Sequence, residues 1–177
     1  MIVRPTTDAD TDIIKAVHEA AFGQAEEAEL SLALLGDPSA EPCVSLMALE
    51  GERALGHVLF TRVAIERADA VEASILAPLA VMPEAQGRGI GGELVREGFR
   101  CLSDLGTALV FVLGDPRYYS RFGFRPAAAE GLQAPYPLPP AYAEAWMVHE
   151  LRPGTLGTVQ GRLMCADTLD EEIYWVE

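Results

Sequence analysis

Apolar residues recur every three or four positions in three stretches of the chain, which is the spacing of one face of an α-helix. The stretches run from Thr6 or Thr7 to Phe22, from Glu26 to Leu35, and from Ile90 to Leu105. Gly36 and Gly106 follow the second and third stretches, and glycine is a common residue at a helix end. The pattern therefore predicts three helices with these bounds.

Shorter apolar runs predict strands between the helices. They are Met1 to Arg4, Ser45 to Leu49, Ala54 to Ile65, Ala73 to Val81, Ala108 to Leu113 and Trp146 to Leu151. A polar turn joins the second and third runs into a β-hairpin. Pro78 stands inside the run that ends at Val81 and has no N–H for a ladder hydrogen bond. We therefore expect an edge, a bulge or a splayed strand at this position.

The order of these elements predicts a mixed α+β fold with a mostly antiparallel sheet. The strand that ends at Val81, the helix that begins at Ile90 and the strand that begins at Ala108 form one parallel βαβ crossover. The chain has 177 residues, which suits a single domain over 1–177. Its core covers about 1–151, and the pattern predicts no element for the C-terminal tail, 152–177.

Composition and charge exclude several classes of function. The formal net charge is −14, so nucleic acid is not an expected partner, because its binding relies on Lys and Arg to neutralise phosphates. No apolar run approaches the ~20 residues of a membrane helix, and the polar N-terminus does not resemble a signal peptide. The few cysteines and histidines are widely spaced, which predicts no metal site and favours a reducing cytoplasm.

The glycine-rich segment between Val81 and the third helix is the clearest candidate binding site. Its sequence, QGRGIGG, brings glycines to the start of a helix, where the first N–H groups have no internal partners. Those groups and the helix dipole favour an anion. From Arg88 to Arg125 the charge balance is six arginines against four acids, or 6 − 4 = +2. A locally basic zone in an acidic protein suits a small polyanionic ligand.

Three interpretations of the glycines compete. Gly87-x-Gly89-x-x-Gly92 with Asp115 matches a dinucleotide fingerprint, but 82–86 separate the glycines from the strand and only one βα unit is predicted. A P-loop would need Gly-Lys-Ser/Thr after the glycines, and that sequence is missing. The glycines could also serve only a tight turn and close helix–sheet packing.

Two segments resemble motifs of the GNAT superfamily of acetyl-CoA-dependent N-acetyltransferases. The segment from Gln86 to Gly91, QGRGIG, resembles the Q/R-x-x-G-x-G/A motif. The segment from Tyr119 to Phe124, YSRFGF, resembles the Y-x-K-x-G-F motif. The agreement with the family motifs spans about Leu76 to Phe124. Within this span the sequence resembles one bacterial subgroup of N-acetyltransferases. The resemblance implies a GNAT-like central sheet with helices on both faces.

The resemblance also implies that acetyl-CoA is the acyl donor. The backbone of the strand end would pair with the pantetheine arm, and the loop N–H groups would hold the pyrophosphate. Arg88 would contact a phosphate, and Gln86 would order the loop. The implied cofactor-binding residues are Leu79, Ala80, Val81, Gln86, Gly87, Arg88, Gly89, Ile90, Gly91 and Gly92.

Tyr119 is the implied catalytic residue, as the general acid that protonates the departing CoA thiolate. The alternative interpretation is a ring that packs under the pantetheine arm. The general base stays open among Glu72, Asp115, His149 and a water chain, because Ser74 to Val81 contains no acidic residue.

The predicted function is transfer of an acetyl group from acetyl-CoA to a primary amine of a small molecule or a peptide, by direct attack on the thioester. A non-catalytic acyl-CoA-binding or sensor module is the alternative, because some family members carry a strand glutamate that this chain lacks. A plain structural domain with an empty glycine loop is the third. The acidic charge favours a cationic acceptor, and a homodimer is the assembly common in the superfamily.

Overall fold

A computed structural model describes residues 1–176 of the chain, and Glu177, the last residue of the predicted tail, lies outside the described residues. The strands are β1 (Ile2–Pro5), β2 (Val44–Glu50), β3 (Arg53–Ile65), β4 (Ala73–Val81), β5 (Leu109–Leu113), β6 (Arg125–Pro126), β7 (Leu132–Gln133), β8 (Trp146–Glu150) and β9 (Gly161–Met164). The helices are α1 (Thr11–Phe22), α2 (Glu26–Leu35), α3 (Ile90–Asp104), α4 (Pro116–Tyr119) and α5 (Ile173–Val176).

The central sheet has the strand order β1-β2-β3-β4-β5-β8-β6. Neighbouring strands run antiparallel except β4 and β5, which are parallel and are connected through α3. The predicted fold class, a mostly antiparallel sheet with one parallel βαβ crossover, is confirmed.

Strands β4 and β5 pair over only part of their length. The pairing covers Ala73–Ile75 of β4, and the rest of β4 pairs with β3 alone. In that second half, Leu76 lies opposite Phe60 and Leu79 opposite Val58, so two residues of β4 face one residue of β3. Pro78 is one of the two. The strand is therefore both bulged and splayed at the proline, as a residue without an N–H requires.

Helices cover both faces of the sheet. On one face, Leu94 and Leu102 of α3 pack in a cluster that includes Phe60 and Val110. On the other face, Ile14 of α1 packs with Met47 and Leu49 of β2, and Leu34 of α2 joins the second large cluster. The glycine loop lies where α3 begins, so the buried face of α3 holds the loop against the sheet.

Helix α1 begins later than its apolar spacing predicts. A 3₁₀ turn occupies Asp8–Asp10, and α1 starts at Thr11. The Asp10 carboxylate accepts two hydrogen bonds from the Arg4 guanidinium, at 2.8 and 2.9 Å, and one from the Thr7 N–H at 2.8 Å. These bonds lower the pKa of Asp10 to about 2. They satisfy the carboxylate within the turn and delay the start of the helix.

The C-terminal tail packs into the core, although no element was predicted there. Strand β9 pairs with the end of β3 and with β7. Trp175 of α5 lies edge-on to Trp146 of β8, with ring centroids 5.7 Å apart. Its indole N–H donates to the Leu169 carbonyl at 3.0 Å. Both tryptophans are buried.

Candidate active site

A cleft of about 700 Å³ opens where β4 leaves β5. Its walls are the end of β4, the glycine loop with the first turn of α3, and the segment around α4. Nine of the ten predicted cofactor-binding residues line it, and Tyr119 lines it as well. The tenth, Ala80, is buried and pairs with His57 of β3. Their role in binding stays a prediction, but one cleft brings both motifs together.

The backbone of the glycine loop exposes the N-terminus of α3. Gly87 and Gly89 have φ of +79° and +80°, a region that other residues rarely adopt. Gly89 immediately precedes α3, and no side chain caps the helix. The N–H groups of its first turn therefore remain available to a ligand. A Cβ on Gly91 would overlap the Tyr118 hydroxyl, so a larger residue here would displace the Tyr118 side chain.

The cleft is lined by three arginines and one carboxylate. Arg88 donates to Glu50 at 2.8 Å. Arg96 approaches Glu93 at 3.7 Å, and the Arg121 guanidinium stacks 4.5 Å from the centre of the Tyr118 ring. The positive charges and the end of the α3 dipole together favour a polyanion in this cleft.

Tyr119 is held by aromatic and backbone contacts. Its ring centroid lies 5.0 Å from that of Tyr118 and 5.6 Å from that of Phe124. A Cβ on Gly114 would overlap the ring. Burial, and to a lesser extent Tyr118, raises the pKa of Tyr119. The hydroxyl therefore keeps its proton near neutral pH, which both the general-acid role and the packing role allow.

None of the three residues considered for the general base lines the cleft. Glu72 precedes β4 at the end opposite the cleft and lies 3.7 Å from Arg62. The Asp115 carboxylate accepts a hydrogen bond from the Arg117 N–H at 2.9 Å and caps α4. His149 stacks on Phe99 with ring centroids 4.4 Å apart, and burial lowers its pKa.

Six residues of the cleft are absent from the set implied by the motifs, and four of them have arginine or aromatic side chains. These four are Arg96, Tyr118, Arg121 and Phe122. The sequence could have indicated Arg96, because it lies four positions after Gly92 and therefore on the same face of α3. Arg121 and Phe122 are part of the second motif itself, and Tyr118 precedes it. The motif pattern marks where these residues lie along the chain and does not show that their side chains turn into the cleft.

A buried histidine pair lies behind the strand that borders the cleft. The Nε2 of His18 is hydrogen-bonded to the Nδ1 of His57 at 2.8 Å. The Nε2 of His57 is hydrogen-bonded to the Ser45 hydroxyl at 2.8 Å, and that hydroxyl to Thr6 at 2.6 Å. Burial lowers the pKa of His18 to about 4 and that of His57 to about 3. Both rings are therefore neutral near pH 7.

Residues 1–176 contain neither a membrane-spanning helix nor a cluster of metal-binding side chains. No helix there is both long enough and apolar enough to cross a membrane. No three His, Cys, Asp or Glu side chains in that range are grouped as metal ligands would be.

The sequence matches the family of acetyltransferase (GNAT) domains over residues 2–127. The chain belongs to the GNAT acetyltransferase family. Among its relatives, the uncharacterized N-acetyltransferase YjhQ of Escherichia coli K12 is 44% identical over 164 residues, which cover 92% of this chain and 90% of YjhQ. The uncharacterized N-acetyltransferase YhbS of the same strain is 34% identical and is covered to 93%. The family inferred from the two motifs is thus confirmed.

Two solved structures share this GNAT fold along nearly the whole chain. YhbS of Escherichia coli in complex with CoA has a TM-score of 0.87 at 32% identity, covering 96% of this chain and 92% of YhbS. A GNAT acetyltransferase of Brucella melitensis in complex with acetyl-CoA has a TM-score of 0.74 at 30% identity, covering 96% and 97%. Helices on both faces of the sheet, implied by the resemblance, are part of the shared fold.

Proposed function

We propose that this protein is an N-acetyltransferase that moves an acetyl group from acetyl-CoA to a primary amine. The observation that carries the proposal is the cleft between the splayed half of β4 and the open N-terminus of α3. Both sequence motifs line this cleft, and GNAT relatives with the same fold bind CoA or acetyl-CoA. The three scattered cysteines are free thiols, which suits the proposed cytoplasmic location.

The residues present fit the parts of acetyl-CoA. Beyond Ile75, the edge of β4 that faces β5 makes no ladder with it, so its backbone can pair with the amides of pantetheine like an added strand. The N–H groups at Ile90, Gly91 and Gly92 match the acceptor oxygens of the pyrophosphate. Arg88 lies in this loop, and its guanidinium can exchange its ion pair with Glu50 for one with a phosphate.

The acetyl group enters the reaction as the thioester of acetyl-CoA. The acceptor amine must be uncharged to attack the thioester. An ordinary lysine-like ammonium has a pKa of about 10.4 and must therefore lose a proton first. On the leaving-group side, Tyr119 holds a proton because burial raises its pKa. We assign to its hydroxyl the protonation of the departing sulfur, which typically contributes about 10²–10⁴-fold to the rate.

The acceptor is proposed as a cationic amine on a small molecule or a peptide. The chain carries a net charge of −14, so its field attracts cations toward the protein. Direct attack by the amine requires no covalent intermediate on the enzyme. A homodimer, common in the superfamily, is the assembly that we expect.

A second candidate function is a non-catalytic acyl-CoA-binding or sensor module. The observation that favours it is the lack of a general base in the cleft. Among the described residues, Glu93 is the one carboxylate that lines the cleft, and none of the three candidate bases lines it. In this alternative the glycine loop binds the nucleotide and no acetyl group is transferred.

A Tyr119→Phe variant separates the two functions. Release of CoA thiol from acetyl-CoA is measured with a panel of primary amines, including lysine, polyamines and lysine-containing peptides. We expect Tyr119→Phe to lower the amine-dependent rate by about 10²–10⁴-fold and to leave acetyl-CoA affinity within a few-fold. Tyr118→Phe is the matched control. An unchanged rate would remove Tyr119 as the acid, and binding without any turnover would support the sensor module.

A further inference from the structure

Two arginines of the cleft approach one aromatic ring, that of Phe122. The guanidinium carbons of Arg96 and Arg121 lie 5.6 and 5.5 Å from the centre of the Phe122 ring. Arg121 also stacks on Tyr118, and its Nε donates to the Tyr118 carbonyl at 3.2 Å. These cation–π contacts hold two long side chains in one region of the cleft.

The charges of these two arginines are only weakly compensated. Arg96 has Glu93 at 3.7 Å, and both side chains are more than half exposed, so this ion pair contributes little. Arg121 has no carboxylate within 4.0 Å among residues 1–176. By contrast, Arg100 on the next turn of α3 contacts both Glu97 and Asp104. Unlike Arg100, Arg96 and Arg121 can therefore take an added anion.

The position of Arg96 connects this pair to the start of α3. Long side chains of a helix point back toward its N-terminus. A Cβ on Gly92 would lie 3.1 Å from the Nη1 of Arg96, and 3.3 Å from the Phe122 ring. The guanidinium thus lies directly beside the first turn of α3, but on the side where Phe122 and Arg121 stand. An anion bound there would be a second one, next to an anion held by the loop.

The geometry points to a second phosphate-binding point, formed by Arg96 and Arg121 on Phe122, that takes the 3′-phosphomonoester of CoA. The inference rests on the proposed use of CoA. CoA carries a pyrophosphate and, one ribose away, a phosphomonoester with three acceptor oxygens. Guanidinium forks match such a group better than any other side chain. The protein would then select CoA over 3′-dephospho-CoA, which keeps the pyrophosphate but lacks this phosphate.

Isothermal titration with CoA and with 3′-dephospho-CoA tests the assignment. The proteins are the unaltered chain, the Arg96→Gln/Arg121→Gln double variant, and Arg100→Gln as the control on the same helix. We expect the double variant to bind CoA about 10–100-fold more weakly, since hydrogen bonds to charged groups contribute about 1.5–3 kcal/mol. Its affinity for 3′-dephospho-CoA should stay within about two-fold, and Arg100→Gln should change neither affinity.

Other outcomes would overturn the inference in distinguishable ways. An equal fall for both ligands would assign the two arginines to the pyrophosphate or to the general field of the cleft. No fall for either ligand would show that they contact no phosphate. If the unaltered chain bound neither ligand, the proposed function itself would fail. Both arginines are exposed at the surface, and equal thermal midpoints of the three proteins would show that the fold is intact.

Discussion

At the scale of single residues, two buried histidines form a hydrogen-bonded pair near the site. His18 and His57 are both fully buried, and the Nδ1 of His18 has no hydrogen-bond partner among the described residues. A protonated ring there would have to lose its water, and the Asp10 carboxylate offsets only part of that cost for His57. The pair therefore belongs to the neutral, packed core behind β4. Because the pair resists protonation, the stability of the folded chain depends on pH.

We predict that the free energy of unfolding falls at acidic pH. The pKa values of His18 and His57 are about 4 and about 3 in the folded chain, against about 6.5 when unfolded. The unfolded state therefore binds more protons below pH 6.5, and the stability present above that pH is lost as the pH falls. Between pH 7 and 5 we expect a loss of about 2 kcal/mol per histidine, measured by urea denaturation.

Two variants isolate the pair in that experiment. His18→Gln/His57→Gln keeps polar side chains but cannot titrate, so its free energy of unfolding should change much less between the two pH values. His149→Gln removes a histidine that stands apart from the pair and should retain most of the fall. A urea midpoint for the unaltered chain that is equal at pH 7 and pH 5 would refute the assignment of two neutral histidines.

The residues of the site were predictable to the extent that they are contiguous in sequence. The segment from Gln86 to Gly92 forms one wall of the cleft because a loop and a helix start are local structures. The His18–His57 contact joins positions 39 residues apart, and no local pattern marks it. Arg96 and Arg121 were visible as charges, but their shared contact with Phe122 depends on how α3 and α4 pack.

At the scale of elements, α3 connects the sheet to the loop by close packing. Gly98 lies on its buried face, and a Cβ there would overlap the ring of Phe60 in β3. Because Phe60 is fully buried, it has little room to move. The close approach of α3 to the sheet depends on this glycine, and the approach sets where the first turn of the helix lies.

Replacing Gly98 tests that contact. Alanine is favoured over glycine in a helix by about 1 kcal/mol, but overpacking a core usually costs about 1–3 kcal/mol. We expect Gly98→Ala to lower the free energy of unfolding by about 1–2 kcal/mol in chemical denaturation. Gly36→Ala is the control, because a Cβ there would meet only backbone atoms at 3.7 Å. A stabilised Gly98→Ala protein would mean that Phe60 yields readily.

Helices and long strands were predicted well because their apolar spacing extends over many residues. The prediction of β4 even included the irregularity at Pro78. Strands β7 and β9, by contrast, contain only two and four residues, which is too short for a periodic signal. They are strands because the end of β3 extends beyond the central sheet and pairs with β9. Such pairing is set by tertiary structure rather than by local sequence.

At the scale of the whole molecule, the charge is separated in a way that suits a CoA-dependent enzyme. The chain is strongly acidic overall, yet the cleft is lined by three arginines and one carboxylate. The polyanionic donor would be guided by the local charge, while the acidic remainder favours a cationic acceptor. The location of the site stays a prediction, whereas the family and the fold followed from the sequence. The acceptor did not, because the loops that would hold it carry no motif.

The central claim is that acetyl-CoA binds at the glycine loop, and isothermal titration of Gly89→Val tests it most directly. Gly89 has φ of +80° and immediately precedes α3, so a β-branched residue there should distort the first turn. Gly23→Val is the matched control, since Gly23 has φ of +71° at the end of α1, far from the cleft in sequence, with nothing within 4 Å of its Cβ position. We expect micromolar binding by the unaltered chain and by Gly23→Val, and its loss in Gly89→Val. Equal binding by all three proteins would place acetyl-CoA elsewhere, and binding by none would contradict the proposed function.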